Sequence, residues 1–460
     1  MLEFVNRTGE MSRLSSAFLR PHGTLSVLYG RRRCGKSRLL REALRGRPGK
    51  MASYVGDDRE ASLQRQALAV EMSTVLQGFG DANYPDWESL LSRWFKDAPR
   101  GCVLALDEFP SLVAASPELP SLLQKQLDKG VRSHLVLSGS SQNMMHGLTL
   151  DRSAPLYGRA REVLKIQPLG AGWLVRAFPK LRPVDAVEVF SVFGGVPRYW
   201  ELFAEYKNLK AAVLDLILAP MGVLHEEPPA VLLDDFRELA QATTLLALIG
   251  AGCHRISEIA GRIGKPATSL SRPLSRLVDL GLVARDTPFG SGPKEKRTLY
   301  RIGDPFLNFW FRFVEPNRSR LQTGRVAAVV AEVERDFPHH VAATWEALSR
   351  ASVGRGGRLE TDWGEARRYW GPGLDRQPME IDVVAASADG RRLLIGEAKW
   401  HDRMDWGREV ASLREKAARF PPAKGREVRL VLFAKQRPSA VVRTPGVTVV
   451  TPKEVLSTLR

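Results

Sequence analysis

The run Gly30-Arg31-Arg32-Arg33-Cys34-Gly35-Lys36-Ser37-Arg38 sets two glycines at the ends of a short loop and follows them with a lysine and a hydroxyl. Those residue types suit phosphate chemistry. Successive backbone N–H groups must curl round an anion, glycine removes the Cβ that would obstruct the curl, and a helix N-terminus adds positive potential. Lys36 can then reach the β- and γ-phosphates as a point charge, and Ser37 can coordinate the Mg2+ that bridges them. Arg31, Arg32, Arg33 and Cys34 offer backbone to the cradle, and Arg38 lies in the helix that follows. The expected ligand is ATP with Mg2+.

Hydrolysis needs a second element, and Val103-Leu104-Ala105-Leu106-Asp107-Glu108 supplies it about seventy residues downstream. An apolar strand ending in two carboxylates would let Asp107 hold Mg2+ through water and Glu108 orient or deprotonate the attacking water. The next apolar run ends in Ser138-Gly139-Ser140-Ser141. Ser138 or Ser140 could there sense the γ-phosphate, or the hydroxyls could simply cap the helix that follows. To position these groups, the first 165 or so residues alternate strand and helix signals, as a parallel sheet covered on both faces requires. Strands are expected at Leu25–Tyr29, Met51–Val55, Val103–Leu106, Leu135–Leu137 and Val163–Ile166, with a helix over Ser37–Leu44.

A second constellation lies far downstream. Met379–Ala385 and Leu393–Trp400 read as two strands joined at Ala388-Asp389-Gly390. Side chains alternate along a strand, so Glu397 and Lys399 share a face, and cross-strand pairing can bring Asp382 beside them. A merely charged hairpin would gain only about 0.2–1 kcal/mol per ion pair. A carboxylate inside Ile-Asp-Val-Val argues for more, since an unpaired buried charge costs several kcal/mol. The D…ExK pattern resembles the PD-(D/E)XK phosphodiesterases. That resemblance implies Mg2+ or Mn2+ held by Asp382, Glu397 and the Ala398 carbonyl, with Lys399 positioning the attacking water. It also matches Glu346 to an acidic position of the superfamily, some of whose members keep the fold and lose the chemistry.

Between the two constellations, residues 239–302 read helix, helix, helix, hairpin, a winged-helix layout. Leu270, Leu274 and Leu277 share one helical face as core, and Ser269, Arg272 and Arg276 share another that could meet DNA. The hairpin adds Arg285, Lys294, Lys296, Arg297 and Arg301 against Asp286 and Glu295. Pro273 must kink its helix or mark a late start. Phe306, Phe309, Trp310 and Phe313 fall at helical spacing and are expected to be a buried face.

Lys and Arg number 68 against 51 Asp and Glu, a formal +17, which favours polyanionic partners such as DNA. Three widely spaced cysteines, Cys34, Cys102 and Cys253, imply neither a disulfide framework nor zinc. No apolar run reaches the roughly 18 residues of a membrane span, and the first residues lack a signal-peptide core, so a soluble, cytoplasmic protein without membrane association is expected.

The order of parts resembles the archaeal-type P-loop ATPases, an AAA+-like branch related to STAND NTPases. Matching residues are Phe4-Val5-Asn6-Arg7-Thr8-Gly9-Glu10, the loop Gly30–Ser37, Asp107-Glu108, Pro155-Leu156-Tyr157-Gly158-Arg159 and Gly194-Gly195-Val196-Pro197-Arg198. Cys34 stands where the family commonly has valine. The resemblance implies that Arg159 acts as a finger on transition-state charge, which in trans would need a homo-oligomer, and that Arg198 senses nucleotide from a helical lid. The expected fold is α/β: a P-loop AAA+-like parallel-sheet ATPase core over 1–167, a helical lid over 168–235, a winged helix over 236–318 and a PD-(D/E)XK-like α/β domain over 319–460. The expected function is ATP hydrolysis coupled to a DNA-binding winged helix and a metal-dependent nuclease-like domain. The alternative is a STAND-type signalling switch whose last domain is inactive and binds a partner. A DNA motor is disfavoured, because no helicase motifs accompany the two nucleotide elements.

Overall fold

The computed structural model of the chain describes residues 2–45, 51–236, 239–292, 295, 297–360, 362–438 and 444–460. Its contacts divide into two compact units, one of Asn6–Pro168 with Ala230–Arg237, the other of Met1–Val5, Leu169–Pro229 and Glu238–Arg460. Among the described residues no helix is long and apolar enough to cross a membrane.

The first unit is built on five parallel strands, β1 (Leu25–Tyr29), β2 (Met51–Val55), β3 (Val103–Asp107), β4 (His134–Gly139) and β5 (Ala160–Lys165), in the order β2-β3-β4-β1-β5. β4 is buried along its whole length, and β1 and β3 are buried except at their last residues, as strands covered on both faces must be. Because β4 lies between β1 and β3, the segments that leave the carboxyl ends of all three meet at one edge of the sheet. β5 starts three residues before its expected position. Its Glu162 is buried on the edge strand and ion-paired to Arg13 at 2.5 Å, which hides a strand start behind a charged residue. Two helices frame the phosphate loop, α1 (Thr8–Phe18) and α2 (Lys36–Leu44). α2 buries Leu39, Leu40 and Ala43 and begins directly after Gly35, whose left-handed φ of 88° ends the loop.

In the second unit, α3 (Ile256–Ile263) and α4 (Ala267–Asp279) precede an antiparallel pair, β6 (Val283–Asp286) and β7 (Leu299–Ile302). Leu270, Leu274 and Leu277 are fully buried, as their spacing requires. α4 runs continuously through Pro273, which excludes the late start. The ring removes one backbone donor, and the carbonyl left over belongs to the exposed turn of Ser269, where water can serve it. Phe306, Phe309, Trp310 and Phe313 are all buried, with the helix widening into a π-turn over Trp310–Val314.

The chain then forms α5 (Val326–Ser352), three antiparallel strands β8 (Arg367–Pro372), β9 (Pro378–Ala386) and β10 (Arg392–Lys399), helix α6 (Trp406–Arg419), strands β11 (Glu427–Ala434) and β12 (Val447–Val450), and α7 (Pro452–Thr458). The sheet order is β12-β11-β10-β9-β8, with β10, β11 and β12 parallel. Trp345 of α5 is buried and donates to the Phe433 carbonyl at 3.1 Å, which fixes that helix on the sheet.

Candidate functional site

The phosphate loop is shaped by backbone rather than by side chains. Gly30 has a φ of 144°, and a Cβ there would lie 2.3 Å from the Ile166 carbonyl, so the first glycine is required by the neighbouring β5 end as well as by any anion. Arg33 adopts a left-handed φ of 65°, uncommon for a residue with a Cβ and of the kind that turns successive N–H groups to one side. Lys36 is buried and folds back over the loop, donating to the Gly30 carbonyl at 2.8 Å and to the Ser140 hydroxyl at 3.2 Å.

Ser37 Oγ donates to Asp107 Oδ2 at 2.6 Å, and Ser138 Oγ donates to Asp107 Oδ1. Hydroxyl and carboxylate are hard oxygen donors, the set that Mg2+ takes beside nucleotide phosphates, so the residues fit that ion. Glu108 has a left-handed φ of 47°, held by two donors from the end of β4: Ser140 Oγ at 2.5 Å and the Ser140 N–H at 3.2 Å. A conformation of this kind costs roughly 1–3 kcal/mol and persists where its surroundings over-determine it. It aims the carboxylate at the same sheet edge as Lys36. Ser140 therefore bridges the phosphate-loop lysine and the acid that would activate water, while Ser138 backs the metal-side carboxylate.

Two further residues stand at the site, Arg7 of the matching amino-terminal segment and Asp234, which no motif marked. Arg7, only 5% exposed, donates to the Cys34 carbonyl at 3.2 Å and the Gln167 carbonyl at 2.6 Å, pinning the loop from beneath. Asp234, far along the chain, sits among Arg32, Lys36 and Glu108; burial first, eased by Arg32 and worsened by Glu108, pushes its carboxyl up to about 6. Its neighbour Asp235 accepts from the Asn143 N–H at 3.1 Å and the Ser141 hydroxyl at 3.2 Å, docking this segment on the end of β4. The signal in the sequence is an acidic pair, Asp234-Asp235, in an apolar stretch.

Arg159 holds Asp128 through two hydrogen bonds, at 2.8 and 2.9 Å, on the surface of its own unit. Arg198, in the other unit, is ion-paired to Glu201 at 3.2 Å.

The second constellation gathers at the end of β9 and β10. Leu393 pairs with Ala386 and Gly396 with Val383, and continuing that register sets Glu397 opposite Asp382. Asp382 Oδ2 accepts from the Ala398 N–H at 3.0 Å. Glu397 is 3% exposed; Lys399 donates to its Oε2 at 3.0 Å, and the Lys416 ammonium lies 2.7 Å from Oε1 as an ion pair without hydrogen-bond alignment. Burial, then the Asp382 charge, push up both the Glu397 and the Glu346 carboxyls. Two hard carboxylates, one with an oxygen lacking an aligned donor, fit Mg2+ or Mn2+ in chemistry. Among the described residues no cluster of three or more His, Cys, Asp or Glu is placed to hold a metal ion.

On α4, Ser269, Arg272 and Arg276 are exposed together. Arg297 is ion-paired to Glu295 at 2.8 Å and Arg301 to Asp286 at 2.8 Å, so part of the hairpin's charge is neutralised. Lys294 and Lys296 lie outside the described residues.

Sheet order and site together define a P-loop ATPase domain. Residues 4–203 match the family described as an ATPase domain predominantly from Archaea, and residues 310–417 match one described as archaeal and bacterial proteins of unknown function. An uncharacterized protein of Methanocaldococcus jannaschii is 28% identical over 412 residues, 87% of this chain and 88% of its own. The Walker-type ATPase of Pyrococcus abyssi shares the fold with a TM-score of 0.51 at 19% identity, covering 67% of this chain and 96% of that one. Residues 4–203 are thus similar to archaeal-type ATPase domains and residues 310–417 to the second family.

Proposed function

We propose that the protein is an ATP-hydrolysing switch whose nucleotide state sets the placement on DNA of a winged helix and a metal-dependent, PD-(D/E)XK-like nuclease domain. The observation that carries the output half is the meeting of Asp382 with Glu397 and Lys399 on adjacent strands, with Glu346 close enough to feel the Asp382 charge. The order helix, three strands, helix, strand over α5 to β11 supports the same reading, and α3, α4 and the β6–β7 hairpin support the winged helix. Ser269, Arg272, Arg276 and Arg297 with Lys294 and Lys296 would meet DNA. Asp382 and Glu397 would hold Mg2+ or Mn2+ and Lys399 would place water. Arg159 would act as a finger on a neighbouring subunit and Arg198 as a nucleotide sensor, over the working division 1–167, 168–235, 236–318 and 319–460.

A second reading has its own support. Glu397 is already neutralised by two ammonium groups, Lys399 and Lys416, an arrangement suited to a STAND-type signalling switch whose last domain binds a partner without cutting.

Incubation of the pure protein with plasmid and Mg2+ or Mn2+, with and without ATP, separates the two. Nicking that disappears in Asp382→Ala supports the nuclease. No nicking under any condition sinks it, and ATP turnover that survives in Lys36→Ala sinks the nucleotide-site assignment.

A further inference from the structure

The hairpin's arginines do not all face solvent. Arg285 and Arg301 line a cavity of about 560 Å³ together with Arg350 of α5, Arg355 beyond its end, and Arg367 and Arg368 of β8. Its walls are joined: the Phe289 N–H, beyond β6, donates to the Arg368 carbonyl at 2.7 Å, and the Phe289 ring packs on Phe420. Six arginines border it, against two acids, Asp286 and Glu365, in the same lining. Arg301 holds Asp286 and Arg367 holds Glu365, both at 2.8 Å, and Arg368 holds Glu380. Arg350 reaches Glu346 only at 3.7 Å and donates to the Asp382 carbonyl at 2.9 Å. Arg285 and Arg355 have no carboxylate partner among the described residues, and Arg368 Nε is buried without an acceptor.

We propose that this arginine cavity binds closely spaced phosphate groups of a nucleic-acid backbone and leads a phosphodiester toward Asp382. The proposal rests on the DNA reading above and names the surface that would grip the strand, distinct from the exposed face of α4. Arginine is the side chain suited to it, because its planar fork matches phosphate oxygens in pairs and sheds water more readily than an ammonium. The cavity has the size of a small-ligand site, so a backbone segment or a free polyphosphate shares the chemistry. The hydrogen bond from Arg350 to the Asp382 backbone ties the cavity to the carboxylate cluster, so a phosphate held here would lie beside the metal-binding candidates.

The test is fluorescence anisotropy of a short labelled duplex with the full chain, its Arg285→Ala/Arg355→Ala variant and an Arg272→Ala/Arg276→Ala variant, over a salt series. Circular dichroism and thermal unfolding of each variant report that the fold is intact. The cavity variant should lose about tenfold in affinity and flatten the dependence of log K on log salt by about 2. Unchanged affinity and slope overturn the proposal. If the unaltered protein binds no duplex, the DNA reading fails by itself, and inorganic pyrophosphate then decides the cavity. A rise in melting temperature seen in the parent and lost in the cavity variant supports a free-polyphosphate site, and no rise overturns the cavity.

Discussion

Ser37 Oγ donates to Asp107 Oδ2 at 2.6 Å, so the phosphate-loop hydroxyl and the carboxylate at the end of β3 face each other across the sheet edge. Ser37→Ala and Asp107→Asn should each reduce Mg2+-dependent ATP turnover by about a hundredfold or more, while costing the free protein no more than about 1 kcal/mol. Steady-state phosphate release beside denaturant unfolding checks both halves, and turnover within threefold of the parent would remove these residues from the metal site.

Glu108→Gln keeps the shape of the acid and loses its charge. Nucleotide affinity should persist while turnover falls about 10²–10⁴-fold, the usual worth of a positioned base. Ser140→Ala, which releases both Glu108 and Lys36, should give a smaller fall in turnover together with weaker binding. Equal effects on binding and turnover in Glu108→Gln would contradict the role.

Asp234 titrates near 6 rather than 3.8 because burial disfavours its charge. A raised carboxyl means the folded state prefers the proton, so this group's contribution to stability declines as pH rises from about 3.8 to about 6. Asp234→Asn should therefore melt higher than the parent at pH 7 and converge with it near pH 4. It should also bind ATP more tightly, since a negative charge leaves the neighbourhood of Arg32 and Lys36. Melting curves over this range that run parallel would refute the assignment.

His340 is buried against Phe309, Phe313 and Phe337 and bonded through Nε2 to the Ser191 carbonyl at 2.8 Å; burial lowers it to about 4. Its neutral form is the native one, so the stability it confers is complete above about 6.5 and is lost as pH falls toward about 4, amounting to roughly 3 kcal/mol. His340→Gln, which can keep the bond to Ser191, should flatten that slope in acid unfolding, and an unaltered slope would place the acid sensitivity elsewhere.

Lys416→Met leaves Glu397 with Lys399 alone. The variant should melt lower than the parent, because a buried carboxylate loses half its compensation. If Glu397 is a metal ligand, Mn2+ should raise the variant's melting temperature more than the parent's; equal shifts favour the inactive-domain reading.

The local parts of both sites were legible because their chemistry is written in short-range patterns. The loop Gly30–Ser37, the Asp107-Glu108 strand end and the Asp382, Glu397 and Lys399 alternation each follow from backbone geometry over a few residues, and the buried Leu270, Leu274 and Leu277 follow from helical period. β5 was misplaced because a buried Glu162 interrupts its apolar pattern, and only its partner Arg13 makes that burial tolerable.

What the amino-acid order determined by itself is therefore which side chains are on offer: a glycine-bounded loop with Lys36 and Ser37, a carboxylate pair at a strand end, and a carboxylate–lysine alternation. The tertiary structure decided which of those groups are free to act. Arg7 beneath the loop, Asp234 beside Lys36, Lys416 against Glu397 and Arg350 on the Asp382 backbone all arrive from distant segments. Charge and burial act through space, and only the fold sets those distances.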